Sequence, residues 1–218
     1  MTETLQTEEK IDFHPAVKLG AKIVSVIFHP LFIPVYMGWF FLYVLNLFPQ
    51  LDSWNKSKLI ISFVLNYSFL PLVTMLIARK LGFIPSLQLT TQKERIIPYI
   101  ITGIFYFWVW YVFKNQHFPK TIVMFSLAIF IANSMGLLLN SFIKLSMHGM
   151  AVGVVATILI IVGLRSYDNL GYYISVIFLL GGLVASSRLV NGDHSPRELY
   201  TGIFIGMLAQ LIAFLFVR

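Results

Sequence analysis

The sequence predicts an all-α, polytopic transmembrane bundle of about seven spans, on three observations. Hydrophobic residues make up 58% of the 218 residues and charged residues only 11%, more apolar surface than one soluble core of this size can cover. Stretches of about 20 mostly apolar residues, the length of a helical span, recur from Ala21 to the C-terminus. The basic residues behind the net charge of +7 lie mainly between those stretches, where anionic headgroups would meet them.

The chain divides into a polar N-terminal tail, residues 1–20, and one transmembrane domain, residues 21–218. The tail is acidic from Thr2 to Asp12 and lacks the basic region of a cleaved signal peptide, so the first apolar run is expected to stay as a span. That run, Lys22 to Phe48, holds His29, Pro30 and Pro34 and should kink or begin with a broken turn. Read as a re-entrant or interfacial piece, it leaves six spans. The second span is Ser57–Ala78, stopped by Arg79 and Lys80. A longer connector, Leu81–Arg95, carries apolar Phe83, Ile84 and Leu87. The third span is Ile96–Phe113, with Trp108, Trp110 and Tyr111 as belt aromatics. Thr121–Ile143, Ser146–Leu164, Leu170–Ser187 and Ser195–Val217 complete the set, with a turn at Arg165–Asn169.

In a seven-span chain alternate connectors share a side. Those holding Lys93 and Arg95, then Lys144 and His148, then Arg188, His194 and Glu198 therefore meet on one face with the N-terminus. Ten of the 16 Lys and Arg residues fall on that face, which the positive-inside rule places in the cytoplasm. The expected location is the inner membrane of a bacterium.

Composition also excludes several kinds of function. With no cysteine there is no disulfide and no thiolate chemistry. No nucleic-acid-binding module is recognisable. No His-Glu-x-x-His pattern or tight ligand pair occurs, so neither metal nor cofactor is expected.

The most informative segment runs from Ser187-Arg188 to Gly202. Asn191-Gly192 reads as a turn, after which a helix restarts. Ser195 suits its N-cap, Pro196 its first position, and Glu198 completes a Ser-x-x-Glu capping box. His194 then stands beside a helix N-terminus, whose unpaired N–H groups favour an anion, and Arg188 adds a fork of donors matched to phosphate. Each has a plainer reading: Glu198 as the capping acid alone, Arg188 as an interfacial anchor, His148 as a hydrogen-bonded helix-end residue. A capping box, however, needs neither an arginine seven residues before its cap nor a histidine just outside it.

The segment resembles the third signature of the type 2 phosphatidic acid phosphatase (PAP2) superfamily: Ser-Arg, five residues, His, three residues, Asp, with Gly four further on. Every spacing is kept from Ser187 and Arg188 through His194 to Gly202, with Glu198 in place of Asp. The resemblance implies that Arg188 binds phosphate, His194 attacks phosphorus and Glu198 orients His194. The second signature, Pro-Ser-Gly-His, is similar to Leu145-Ser146-Met147-His148. It implies that His148 protonates the leaving oxygen and Ser146 contacts phosphate. The first signature, Lys, six residues, Arg-Pro, is absent. The nearest stretch, Lys93-Glu94-Arg95 with Pro98, supplies candidate phosphate cations but inherits no family role. Two spans separate it from His148, whereas the family usually carries its first two signatures on one connector.

These features point to a lipid phosphate or diphosphate phosphatase that works without a metal through a phosphohistidine, on membrane lipids such as an isoprenoid phosphate, with the chain among the helices. The rival from another class is a relative that has lost hydrolysis and binds a lipid headgroup or serves in a larger membrane assembly. A transporter path along Asn133, Asn140 and Lys144 is the third, against the near absence of charge in spans two to six. Asn133 and Asn140 read better as interhelical glue, and the pairs Gly149/Gly153 and Gly202/Gly206 as helix-packing motifs.

Overall fold

The computed structural model describes residues 13–86, 89, 91–165 and 169–217. Residues 1–12 of the tail, Leu87 and the middle of the Arg165–Asn169 turn lie outside the described residues. Every regular element among the described residues is helical: α1 Pro15–Ile27, α2 Ile33–Val44, α3 Ser53–Lys80, α4 Gln92–Asn115, α5 Lys120–Leu139, α6 Met147–Gly163, α7 Gly171–Val190 and α8 Pro196–Val217.

Five of these, α3, α4, α5, α7 and α8, are long and apolar enough to cross a membrane, as in an integral membrane protein. α2 and α6 are apolar but shorter. At 1.5 Å per residue the 17 residues of α6 reach about 25 Å, less than the ~30 Å hydrocarbon core.

The expected single run from Lys22 to Phe48 is two helices instead. α1 already begins at Pro15, inside the segment read as tail, capped by His14, whose Nδ1 accepts from the Ala16 N–H at 3.3 Å. α1 and α2 break at His29-Pro30, because proline has no N–H to donate and crowds the residue before it out of helical geometry. The break is held from outside by Ser68 of α3, whose hydroxyl donates to the Leu31 carbonyl at 2.6 Å. α2 ends in a π-helical turn at Phe40–Val44, and α3 contains another at Val64–Phe69, just ahead of Pro71. A wide turn there relieves the ladder where Pro71 has no donor.

Helix starts follow side-chain caps: Asp52 for α3, Thr91 for α4 and Ser146 for α6 each accept from an N–H within the first turn. The main core gathers Phe41, Phe63, Tyr67, Phe125, Ile122 and Ile158, all almost wholly buried. α6 is apolar all round and buries nine residues, as a helix inside a bundle should. Leu138, Phe142, Leu179 and Phe216 project outward, as a lipid-facing surface requires. Of the expected belt aromatics, Trp108 and Tyr111 are exposed, whereas Trp110 packs against the core.

What positions the functional end is the seam between α6 and α8. A Cβ on Gly149 would lie 2.7 Å from the Leu199 carbonyl oxygen, and one on Gly202 would lie 2.7 Å from that of Ser146. At Gly153 and Gly206 a Cβ would run into the carbonyls of Ile203 and Met150. The two backbones therefore touch, in the way small-residue pairs permit in membranes.

Candidate active site

The connectors between α3 and α4, α5 and α6, and α7 and α8 meet at one end of the bundle. Arg95 donates from Nη1 to the Leu145 carbonyl at 2.7 Å and from Nε to that of Leu89 at 2.9 Å. Leu89 turns there through the left-handed region, with φ of 50°. The Asn140 amide donates to the Gln92 carbonyl at 2.7 Å, and Lys144 Nζ to the Asp193 carbonyl at 3.1 Å. The Ser146 N–H donates to the Glu198 carbonyl at 3.2 Å.

Between these ties lies a polar chamber of about 670 Å³. Arg95, His148, Arg188 and His194 all line it, although 99 residues separate the first from the last. Lys18 and Lys22 of α1 add positive charge, and Asp193 is its acidic member. His29, from the α1–α2 break, is part of the wall as well, and its ring meets that of His148 edge-on at 5.6 Å between centroids.

Each key side chain is oriented from behind. Asn191-Gly192 forms the expected turn, with Gly192 at φ 70°, a conformation that suits glycine. His194 follows, 7% exposed. Its Nδ1 lies 3.1 Å from Glu198 Oε2. A carboxylate only accepts, so Nδ1 carries the proton and Nε2 keeps its lone pair. The same Oε2 accepts from the Ser195 N–H at 3.1 Å, while the Glu198 N–H donates to Ser195 Oγ at 3.3 Å. One oxygen thus meets both the capping box and the histidine. Burial first, and then the Arg95 guanidinium, hold His194 down to about 4, against the opposing hydrogen bond to Glu198. The imidazole is therefore neutral near pH 7.

His148 stands in the first turn of α6, and its Nε2 lies 3.0 Å from the Ser25 carbonyl. That nitrogen must donate, which leaves Nδ1 as the one able to exchange a proton elsewhere. Arg188, in the last turn of α7, pairs through Nη1 with Asp193 Oδ2 at 2.9 Å. Its Nε is buried with no hydrogen-bond partner among the described residues. A buried guanidinium donor without a protein partner, in a chamber that other cations also line, suits an anion.

Two expected residues stand elsewhere. Ser146 is fully buried and its hydroxyl accepts from the Gly149 N–H at 3.2 Å, so it caps α6 and does not line the chamber. Lys93 is exposed in the first turn of α4 and does not line it either. The signal for His29 was its place next to a span-breaking proline; with nothing else nearby in sequence, it did not stand out. Among the described residues no group of three His, Asp or Glu is placed to hold a metal ion. Comparison with protein-family models, curated proteins and solved structures gives no match.

Proposed function

We propose that the protein is a lipid phosphate or diphosphate phosphatase with a divergent PAP2-like core, working through a phosphohistidine. The observation that carries this reading is the joint placement of Arg95, His148, Arg188 and His194 around one chamber, with Glu198 held against Nδ1 of His194 and Arg188 Nε unpartnered among the described residues. Arg95 and Arg188 hold the phosphate oxygens, and a bound phosphate competes with Asp193 for Arg188. His194 Nε2 attacks phosphorus. The N–P bond forms as the P–O bond to the lipid breaks, and that electron pair passes to the leaving oxygen. His148 takes up a proton at Nδ1 as the phosphate dianion enters, and gives it to that oxygen. Water then attacks the phosphohistidine and yields its proton to His148. The N–P pair returns to His194, and inorganic phosphate departs. Glu198 supports the positive charge that His194 carries meanwhile.

In this reading α2 and α6 complete seven spans with the five long helices, and the chamber faces the cytoplasm of a bacterial inner membrane. A second reading keeps the lipid and drops the turnover: Asp193 already occupies one arm of Arg188, and the Lys-x₆-Arg-Pro signature is missing. The transporter reading loses support, because Asn133 is spent on Thr102 and the Tyr99 carbonyl, Asn140 on Gln92 and Lys144 on Asp193.

The test is phosphate release from lipid phosphates and diphosphates by the purified protein in detergent. His194→Ala should abolish turnover with the fold intact. Arg188→Ala should lower kcat/KM by about 10²- to 10³-fold. Lys93→Ala should stay within about twofold, as expected of a surface residue. No release by the wild type, with lipid binding that still requires Arg188, decides for the binding module. Indifference of both to Arg188 and His194 removes the site assignment.

A further inference from the structure

The polar chamber adjoins two apolar cavities, and their sizes differ. The inner one lies among α2, α4, α5 and α6, shares His29, Pro30, Leu89 and Met147 with the chamber, and measures about 120 Å³. The outer one is a groove of about 400 Å³ between the α1–α2 break, α6 and α7, walled by Phe28, Tyr36, Val152, Val155, Leu180 and Val184. An apolar cavity of about 150 Å³ accommodates benzene, so the inner cavity has room for only a few carbons. The groove is over three times larger.

The groove offers nothing to a polar ligand along its length. Tyr36 and His148 are the members of its wall with polar side chains. The Tyr36 hydroxyl is spent on the Ile27 carbonyl at 2.8 Å. His148 stands where the groove meets the chamber, and it lines both. Ile27 and Tyr36 of its wall are exposed, so the groove opens to the outer surface of the bundle.

We infer that the outer groove between α2, α6 and α7 is the subsite for the hydrocarbon chain of the lipid phosphate, which enters sideways from the bilayer and places its phosphate in the chamber past His148. The inference rests on the phosphatase reading. It fixes where the phosphate–chain oxygen sits: at His148, the side chain common to both spaces. Hydrocarbon burial in the groove then adds binding energy with each methylene, until the groove is full.

Filling the groove separates chain binding from chemistry. Leu180→Trp is compared with the wild type on hexadecyl phosphate and on butyl phosphate, whose chain is too short to need the groove. The expected result is a rise of about tenfold or more in KM for hexadecyl phosphate, with kcat/KM for butyl phosphate held within about twofold. Turnover of butyl phosphate certifies the fold. Should Leu180→Trp fail to fold, Val152→Phe on the opposite wall must show the same selective loss. Equal effects on the two substrates overturn the groove assignment, as does a selective loss on Ile129→Phe, which fills the inner cavity instead. Wild-type protein that hydrolyses neither substrate overturns the phosphatase reading itself, and the subsite with it.

Discussion

The two walls of the chamber are built differently. On one side α6 and α8 meet backbone to backbone through Gly149, Gly153, Gly202 and Gly206. That wall carries His148, His194 and Glu198, and the Ser146–Glu198 backbone hydrogen bond closes its top. On the other side α1 and α7 meet through side chains. Ser25 Oγ lies 3.1 Å from Ser187 Oγ, and the Asn191 amide donates to Ser25 Oγ at 3.4 Å. α7 buries only Gly181, Val184 and Ser187. The groove touches this second wall at Phe28 and Val184 and runs on between α2, α6 and α7. A nucleophile and its orienting carboxylate need fixed separation, which touching backbones supply. An entry for a lipid needs a seam that can part, which a few side-chain contacts permit.

The contrast is broken most severely at the tight wall. Gly206→Val places a side chain where the Met150 carbonyl already lies, with backbone on both sides and nothing flexible to yield. We expect a loss of about 4 kcal/mol or more, read as a large fall in Tm or as aggregated protein in size-exclusion chromatography. Valine at Gly182, where a Cβ meets nothing within 4 Å, is the control and should fold.

A smaller change on the same wall separates position from charge. Glu198→Gln keeps an oxygen for the Ser195 N–H and for His194, so Tm should move by less than about 1 kcal/mol's worth. It removes the charge that supports His194 as a cation, so kcat should fall by about 10²- to 10⁴-fold. Equal losses of stability and rate would leave Glu198 as a capping residue alone.

The loose wall should be the least sensitive. Ser187→Ala removes the contact with Ser25 and the 2.7 Å bond to the Val184 carbonyl. The expected cost is about 1 kcal/mol of stability, since interhelical hydrogen bonds in membranes average less than that, with kcat within about twofold. A loss as large as that from Gly206→Val would show that the walls are equally tight and would remove the physical basis for sideways entry.

Much of this was legible in the chain, and for local reasons. Apolar runs of span length gave the helices, and the Ser195–Glu198 box is closed by groups three residues apart, so it was readable without any partner. The spacing from Arg188 to His194 spans one turn, and both residues line the chamber. The small-residue pairs on α6 and α8 did mark a close seam. Proline at position 30 announced a disturbance in the first apolar run, but not that it would be two helices, because the freed Leu31 carbonyl finds its partner in Ser68, 37 residues away.

What the sequence determined by itself, then, is what depends on neighbours along the chain: helix, cap, turn, and the pairing of His194 with Glu198. Only the tertiary structure decided which cations share the chamber. Arg95 enters because its guanidinium bridges the carbonyls of Leu89 and Leu145, whereas Lys93, two residues earlier on the same helix, is carried about 200° around the axis and stays exposed. Ser146 had the spacing of a phosphate ligand, but the N–H of Gly149 needed its hydroxyl as a cap. His29 joins the site from the far end of the chain, through a break that puts its ring against His148. The physical reason is the same in each case: a side chain reaches a site by the rotation of its helix and by the competing hydrogen bonds it must first satisfy, and both are set by contacts distant in sequence.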